Sequence, residues 1–372
     1  MSFAKTISMK LKISSIQSIL FILLWIPSLA QSRLSQLQKA LPSMMDSTGI
    51  SGLSVALIEN GKVTWSSGLG IKNKGTKEPV STQTIFRGAS LGKPLFAYAV
   101  LKLSEQRKIA LDTPLVSYAP PSYLETHFLK SPLGDERIRL ITARMVLNHT
   151  SGLPNWRAEG KPLTTMFMPG SRYSYSGEGY YLLQTVVEYL VKESVESFMQ
   201  RTVFKPMAMT HTSYMYHAVD SLRYASSYDM TGKCIADEQE TVNVAHTLRT
   251  TADDYARFIV AAMMKPGSGE QTAKALLSSL VKTDICQPGQ VSWGLGFAVQ
   301  HTVNGNLFCQ WAKSPTASGY VIGSTDHKTA VVYFVNVANQ GLRIAERMVK
   351  LGLDYDDPLF SCFGVRPYNA RR

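Results

Sequence analysis

Phe86-Arg87-Gly88-Ala89-Ser90-Leu91-Gly92-Lys93-Pro94-Leu95-Phe96-Ala97-Tyr98-Ala99-Val100 passes from a strand-like segment, Thr84 to Arg87, into an apolar helical pattern running from Pro94 to Gln106. Proline is tolerated in a first helical turn, because amides there have no intrahelical partner. Ser90 and Lys93 are three residues apart and share a helix face. A serine hydroxyl is a poor nucleophile until a base takes its proton, and an uncharged lysine amine can be that base. A position at the helix N-terminus also favours developing negative charge. The same spacing equally describes an N-cap serine followed by a solvated lysine. It recurs at Ser2–Lys5 and Ser279–Lys282, so the surrounding chain has to decide.

The chain has 372 residues, enough for one large catalytic domain or two modest ones. Its first thirty residues read as a signal peptide. Lys5, Lys10 and Lys12 form a basic start, Ile19 to Ile26 an apolar core, and Ser28-Leu29-Ala30 the small residues that signal peptidase needs. The apolar run is short for a membrane span, so cleavage after Ala30 is expected, leaving residues 31–372 periplasmic or secreted with no membrane anchor. Cleavage removes three lysines and no acid, taking the formal charge from +12 to +9. That charge suits anionic surroundings such as cell-wall polymer, or serves solubility alone. The basic residues are scattered, without the runs or interleaved aromatics of a nucleic-acid binder. Cys234, Cys286, Cys309 and Cys362 are even in number, and an oxidising compartment would allow one or two disulfides of unread pairing. Dispersed histidines and the lack of a C-x-x-C pair predict no metal site and no cofactor.

β-rich segments lie at both ends. Leu53–Ile58 and Lys62–Trp65 flank Asn60-Gly61, while Gly296–Val299 and Leu307–Trp311 flank Asn304-Gly305, two strong hairpin signals. Tyr320–Gly323 and Ala330–Val337 extend the second region, followed by a helix from about Leu342 to Leu351. Helical patterns fill the middle: Thr142–Leu147, Tyr180–Val191, Val195–Val203 and Asp253–Met264. The expected fold is α/β of the α+β type: an antiparallel sheet from both chain ends, flanked by terminal helices, plus a helical lobe. The sheet subdomain would take about 31–90 and 250–372, the lobe about 91–249, with a ligand cleft between them.

Two further stretches carry chemistry. In Pro169-Gly170-Ser171-Arg172-Tyr173-Ser174-Tyr175-Ser176-Gly177-Glu178-Gly179-Tyr180, a phenol can relay protons if cationic neighbours lower its pKa. Trp311-Ala312-Lys313-Ser314-Pro315-Thr316-Ala317-Ser318-Gly319-Tyr320 reads as the strand after the second hairpin. Its Lys313 either lines the cleft, holding an anionic group and depressing the Lys93 pKa by like charge, or is an ordinary edge-strand lysine.

In order and spacing, these motifs resemble the serine β-lactamase and penicillin-binding protein superfamily, in particular its class C-like β-lactamase-related hydrolases. Ser90-Leu91-Gly92-Lys93 is similar to the nucleophile motif. Leu147-Asn148-His149-Thr150-Ser151-Gly152-Leu153-Pro154 resembles the L-x-H-T-S-G-L-P turn, a mainly architectural feature. Pro169 to Leu183 resembles P-G…Y-S-N-x-G-Y-x-L-L, and Trp293-Gly294-Leu295-Gly296-Phe297 the G-L-G-W strand. Lys313 falls where the family carries the lysine or histidine of K-T-G or H-x-G. The likeness covers essentially the whole mature chain.

The resemblance implies that Ser90 forms an acyl-enzyme, with Lys93 and Tyr175 sharing its activation and the later proton transfers. It implies an oxyanion hole from the N–H groups of Ser90 and Thr316. Lys313 and the Ser314 hydroxyl would face a substrate carboxylate or the Tyr175 oxygen. Two departures stand out. Tyr-x-Asn appears as Tyr175-Ser176-Gly177, without the amide that contacts substrate, and K-T-G reads Lys313-Ser314-Pro315, with a proline that lacks an N–H. Both argue against efficient β-lactam turnover. An exported serine hydrolase acting on small esters or D-amino-acid peptides is the leading expectation. The alternative is a non-catalytic receptor for cell-wall peptides or a protein partner.

Overall fold

The computed structural model describes residues 33–236, 240–265, 267–278, 280–286, 290–302, 305–316 and 318–355. Strands β1 (Gly52–Glu59) and β2 (Lys62–Asn73) are joined through Asn60 and Gly61, both at positive φ (51° and 70°), as a tight hairpin turn requires. Then come β3 (Glu78–Pro79), β4 (Phe86–Ala89), β5 (Ser227–Tyr228), β6 (Cys234–Ile235) and β7 (Leu248–Thr250). The last third adds β8 (Val281–Lys282), β9 (Val291–Trp293), β10 (Ala298–Thr302), β11 (Gly305–Lys313), β12 (Ser318–Ser324) and β13 (Thr329–Val335). Nine of these form one sheet in the order β3-β2-β1-β13-β12-β11-β10-β9-β8. β1 pairs antiparallel with β13 from Leu53↔Val335 to Ile58↔Ala330, so the two ends of the fold close on each other as expected.

The helices are α1 (33–48), α2 (Gly92–Glu105), α3 (Pro121–Leu124), α4 (Ala143–Leu147), α5 (Gly177–Val191), α6 (Val195–Met199), α7 (Ala252–Ile259), α8 (Ser268–Leu276) and α9 (Ala345–Leu353). Strand side chains alternate between faces, and here both faces are covered. Leu53, Val55 and Leu57 of β1, with Val331 and Tyr333 of β13, pack against Leu37 and Leu41 of α1 and Met348 of α9. Ala56, Ile58, Val332 and Phe334 face the other way, onto a core shared with Phe96 and Val100 of α2, Leu183 of α5 and Phe258 of α7. A sheet covered on both sides reads as continuous apolar runs, such as Ala330–Val335, rather than alternation. Truncating a side chain as enclosed as Phe96 to alanine would cost about 3–5 kcal/mol.

Several expected bounds shift. The second strand runs to Asn73, well past Trp65. The helices expected to reach Val203 and Met264 end earlier, at Met199 and Ile259, and continue as π-type turns, Gln200–Phe204 and Val260–Met264. The signal segment, Asn304 and Cys362 lie outside the described residues. Cys286 is disulfide-bonded, whereas Cys234 carries an exposed thiol and Cys309 a buried one. Among the described residues no helix is long and apolar enough to cross a membrane.

Candidate active site

The turn that presents Ser90 is built by β4 pairing with β7, Phe86↔Thr250 and Ala89↔Leu248, with a register shift in between. Ala89 has φ 42°, a left-handed conformation uncommon for a residue with a Cβ. This turns the chain sharply from strand to helix. Hydrogen bonds from Leu91 N–H to the Gly88 carbonyl (3.0 Å) and from Lys93 N–H to the Ser90 carbonyl (3.2 Å) close the turn. A Cβ on Gly92 would lie 2.6 Å from the Val244 carbonyl oxygen and 2.8 Å from a Tyr214 ring carbon, so only glycine lets the helix start this close to the 244–248 segment.

That approach sets the environment of Lys93. Its side chain is fully buried, and its Nζ donates to Ser90 Oγ at 3.1 Å and to the Ala245 carbonyl at 2.7 Å. Burial disfavours the charged amine and lowers its pKa from 10.5 to about 7. A large fraction is therefore an uncharged base at neutral pH. The cause differs from the sequence expectation: it is burial, and Lys313, exposed at the end of β11, takes no part in the shift.

Tyr175 lies one residue ahead of Ser176, whose Oγ accepts from Gly179 N–H at 2.9 Å and caps α5. Lys93 Nζ sits 4.8 Å from the Tyr175 ring centroid. Burial pushes the phenol pKa up to about 12, and hydrogen bonds with Ser90 and Gln310 act in the opposite direction without overcoming it. The expectation that cationic neighbours lower this pKa is thus corrected. The phenol is neutral at pH 7, a proton donor in the resting site, and Lys93 is the group suited to act as base.

Two neighbours that the sequence reading did not assign to chemistry hold Tyr175. Gln310 on β11, fully buried, donates from Nε2 to the Tyr175 hydroxyl and to the Ser90 carbonyl, both at 3.3 Å. A glutamine inside Leu307-Phe308-Cys309-Gln310-Trp311 was the available signal. By alternation it shares the face of Phe308 and Ala312, which join the core of Phe96 in α2 and Leu183 in α5, the helices that follow Ser90 and Tyr175. His149, buried at φ 58°, accepts Ser176 N–H on Nδ1 at 3.0 Å and lays its ring 4.2 Å from that of Tyr175. Burial, then the charge of Lys93, drives its pKa well below 6.5, so it is a neutral spacer.

A cavity of about 760 Å³ opens above Ser90. Ser90, Tyr175, Lys313, Ser314 and Thr316 line it, and Lys93 lies beneath Ser90, so the sequence-predicted residues converge on one place. The Lys313 side differs in detail from expectation. Strand β11 stops at Lys313 and β12 begins at Ser318, so Pro315 sits in a bend and interrupts no ladder. β11 lies between β10 and β12, but β10 pairs with it only as far as Cys309, and Lys313 pairs with Ser318 of β12. Thr316 N–H donates to Ser314 Oγ at 3.2 Å, an interaction any substrate oxygen would have to displace. The same cavity is also lined by Trp156, His246 and an ion pair between Arg87 and Glu240 at 3.2 Å. Burial lowers the His246 pKa while Glu240 acts to raise it. No cluster of three or more potential metal ligands occurs among the described residues.

A family model described as Beta-lactamase matches residues 37–353. The chain belongs to this family. Among the curated relatives of this beta-lactamase family member is Penicillin-binding protein 4* of Bacillus subtilis (strain 168), 23% identical over 349 residues, covering 82% of this chain and 73% of the relative. Protein flp of Staphylococcus aureus (strain N315) is 24% identical over 283 residues, 70% of this chain but only 55% of its own length. The chain thus spans about half the length of such relatives. The fold matches the octameric penicillin-binding protein homologue from Pyrococcus abyssi (TM-score 0.72, 20% identity, 87% of this chain and 78% of that one). It also matches the D-alanine carboxypeptidase AmpC from Burkholderia cenocepacia (TM-score 0.70, 18% identity, 87% and 98%). The family that the ordered motifs resembled is therefore the one found.

Proposed function

We propose that this beta-lactamase family member is an exported serine hydrolase that acts through an acyl-enzyme on Ser90. The observation that carries the reading is the buried Lys93 amine, 3.1 Å from Ser90 Oγ with a pKa near 7. As Oγ bonds to a substrate carbonyl carbon, its proton passes to Lys93 Nζ. The tetrahedral oxygen draws on nearby N–H donors, with Ser90 and Thr316 the proposed pair. Collapse breaks the bond to the leaving group, which takes a proton from the Lys93–Tyr175 pair. Water then attacks the acyl carbon, losing its proton to the same pair, and Ser90 is restored. Lys313 and Ser314 are proposed to hold an anionic or polar part of the substrate.

Small esters and D-amino-acid peptides are the proposed substrates. The peptides gain support from the D-alanine carboxypeptidase among similar structures. β-Lactams come last, because Gly177 offers no side-chain amide and Thr316 N–H is engaged within its own loop. Cleavage after Ala30 would release the protein just ahead of α1, and N-terminal sequencing of exported protein tests this. The function itself is tested with simple esters, D-Ala-D-Ala peptides and nitrocefin, using wild type and Ser90→Ala. Turnover of an ester or peptide that vanishes in Ser90→Ala is expected. Calorimetric binding of the peptides with no turnover and no covalent adduct would overturn it in favour of a receptor.

A further inference from the structure

We propose that Trp156, seated on Gly177, makes the cavity selective for a flat apolar group next to the scissile bond. The proposal deepens the hydrolase reading and rests on it for the position of that bond. Trp156 lines the cavity that holds Ser90, yet is 47% exposed. A tryptophan this exposed would ordinarily sample several rotamers, but both its neighbours are fastened to the start of α5. The Asn155 carbonyl accepts the N–H groups of Gly177 and Glu178, each at 3.1 Å, and Asn155 Oδ1 also accepts Gly177 N–H at 3.0 Å. On the other side Arg157 grips the buried Glu178 through its backbone N–H (3.0 Å), Nε (3.1 Å) and Nη2 (2.5 Å).

This clamp lays the indole directly on Gly177. A Cβ at 177 would come within 2.7 Å of Trp156 Cη2, 2.9 Å of Cζ3 and 2.7 Å of the Asn155 carbonyl oxygen. A side chain at 177 and the indole in its present seat therefore exclude each other. Position 177 is the one where the family resemblance leads one to expect an asparagine amide. Here a corner suited to a polar amide is filled by a flat apolar surface, braced edge-on by His246 with centroids 5.4 Å apart at 90°. Trp311 and Ile285 add apolar surface elsewhere in the same cavity. An aromatic group set against such a wall gains both area burial and ring–ring attraction. The ring face itself offers a substrate amide no hydrogen bond in exchange for the water it would shed.

The test compares kcat/KM for ethyl acetate, ethyl phenylacetate and benzyl acetate by pH-stat. The proposal expects at least one aryl ester to exceed ethyl acetate by about tenfold. Trp156→Ala should lower that ester about tenfold more than it lowers ethyl acetate, and Trp156→Phe should restore most of the ratio. Gly177→Ala should act like Trp156→Ala by unseating the ring, with melting temperatures confirming that each variant folds. In parallel, calorimetry of phenylacetate, benzyl alcohol and acetate against Ser90→Ala, with and without Trp156→Ala, reads the wall without turnover. Trp156-dependent preference for an aryl ligand in either assay supports the proposal, even if no ester is hydrolysed. No aryl preference in either assay, or a preference untouched by Trp156→Ala, overturns it, even if hydrolysis at Ser90 proceeds.

Discussion

Two lysines belong to this cavity, and they are built in opposite ways. Lys93 is fully buried under Ser90, bonded to Ser90 Oγ and the Ala245 carbonyl, with a pKa near 7. Lys313 ends β11 exposed, followed by a bend whose Thr316 N–H is held by Ser314. On the Lys93 side every group is held by a second one: Tyr175 by Gln310 and His149, Ser90 by the turn after Ala89. On the Lys313 side the contacts among the described residues are local, Ser314 with Thr316 and Lys313 with Ser318 of β12. Desolvation gives the first region its proposed chemistry, because it lowers the pKa of the Lys93 amine to about 7. The second region, exposed at Lys313, is the side proposed to contact substrate.

Substitutions on the buried side should therefore be large in effect and similar for all substrates. Ser90→Ala is expected to lower kcat/KM by at least ~1,000-fold on every substrate in a steady-state assay. Lys93→Met should lose activity to a similar extent while leaving the protein folded. Wild-type kcat/KM should rise as pH increases through about 7, because only the deprotonated amine can accept the Ser90 proton. The same burial has a stability consequence of definite sign. Between pH 7 and 10.5 the unfolded chain binds a proton at Lys93 that the folded chain does not, so this residue makes stability rise with pH across that window. Denaturant titrations of Lys93→Met should show a weaker rise than wild type.

Tyr175→Phe, which removes the proton donor but keeps the ring against His149, should cost about 10²–10⁴-fold in kcat. On the exposed side the expected changes are smaller and depend on substrate. Ser314→Ala removes the acceptor of Thr316 N–H and frees that amide for a substrate oxygen. For an uncharged ester, which has no anionic group for Ser314 to hold, it should raise kcat/KM by up to about tenfold in a steady-state assay, whereas for a substrate with a carboxylate the lost Ser314 contact should offset that gain.

The difference between the two regions also explains what could be read in the sequence. The Ser90/Lys93 spacing, the Pro94 helix start and the Asn60-Gly61 turn are local signals, and each appears in the structure where the sequence pointed. The antiparallel sheet from both ends was legible because β1 and β13 are continuous apolar runs that need cover on two faces. Three things were not legible. The sign of the Tyr175 shift depends on how completely the 147–154 turn and β11 enclose it, a long-range property. Gln310 was visible as a polar residue in an apolar strand, but its partners lie 220 and 135 positions away in sequence. Trp156 gave no signal, because its place on Gly177 arises from the Arg157–Glu178 clamp, which joins residues 21 positions apart.

The central claim is that a neutral, buried Lys93 activates Ser90, and the rate of labelling by a fluorophosphonate probe tests it most directly. Intact-mass and peptide analysis across pH 5–9 should find one adduct, on Ser90, forming faster as pH rises through about 7, and none in Ser90→Ala. A rate that stays flat across that range, or a label that persists in Ser90→Ala, would contradict it.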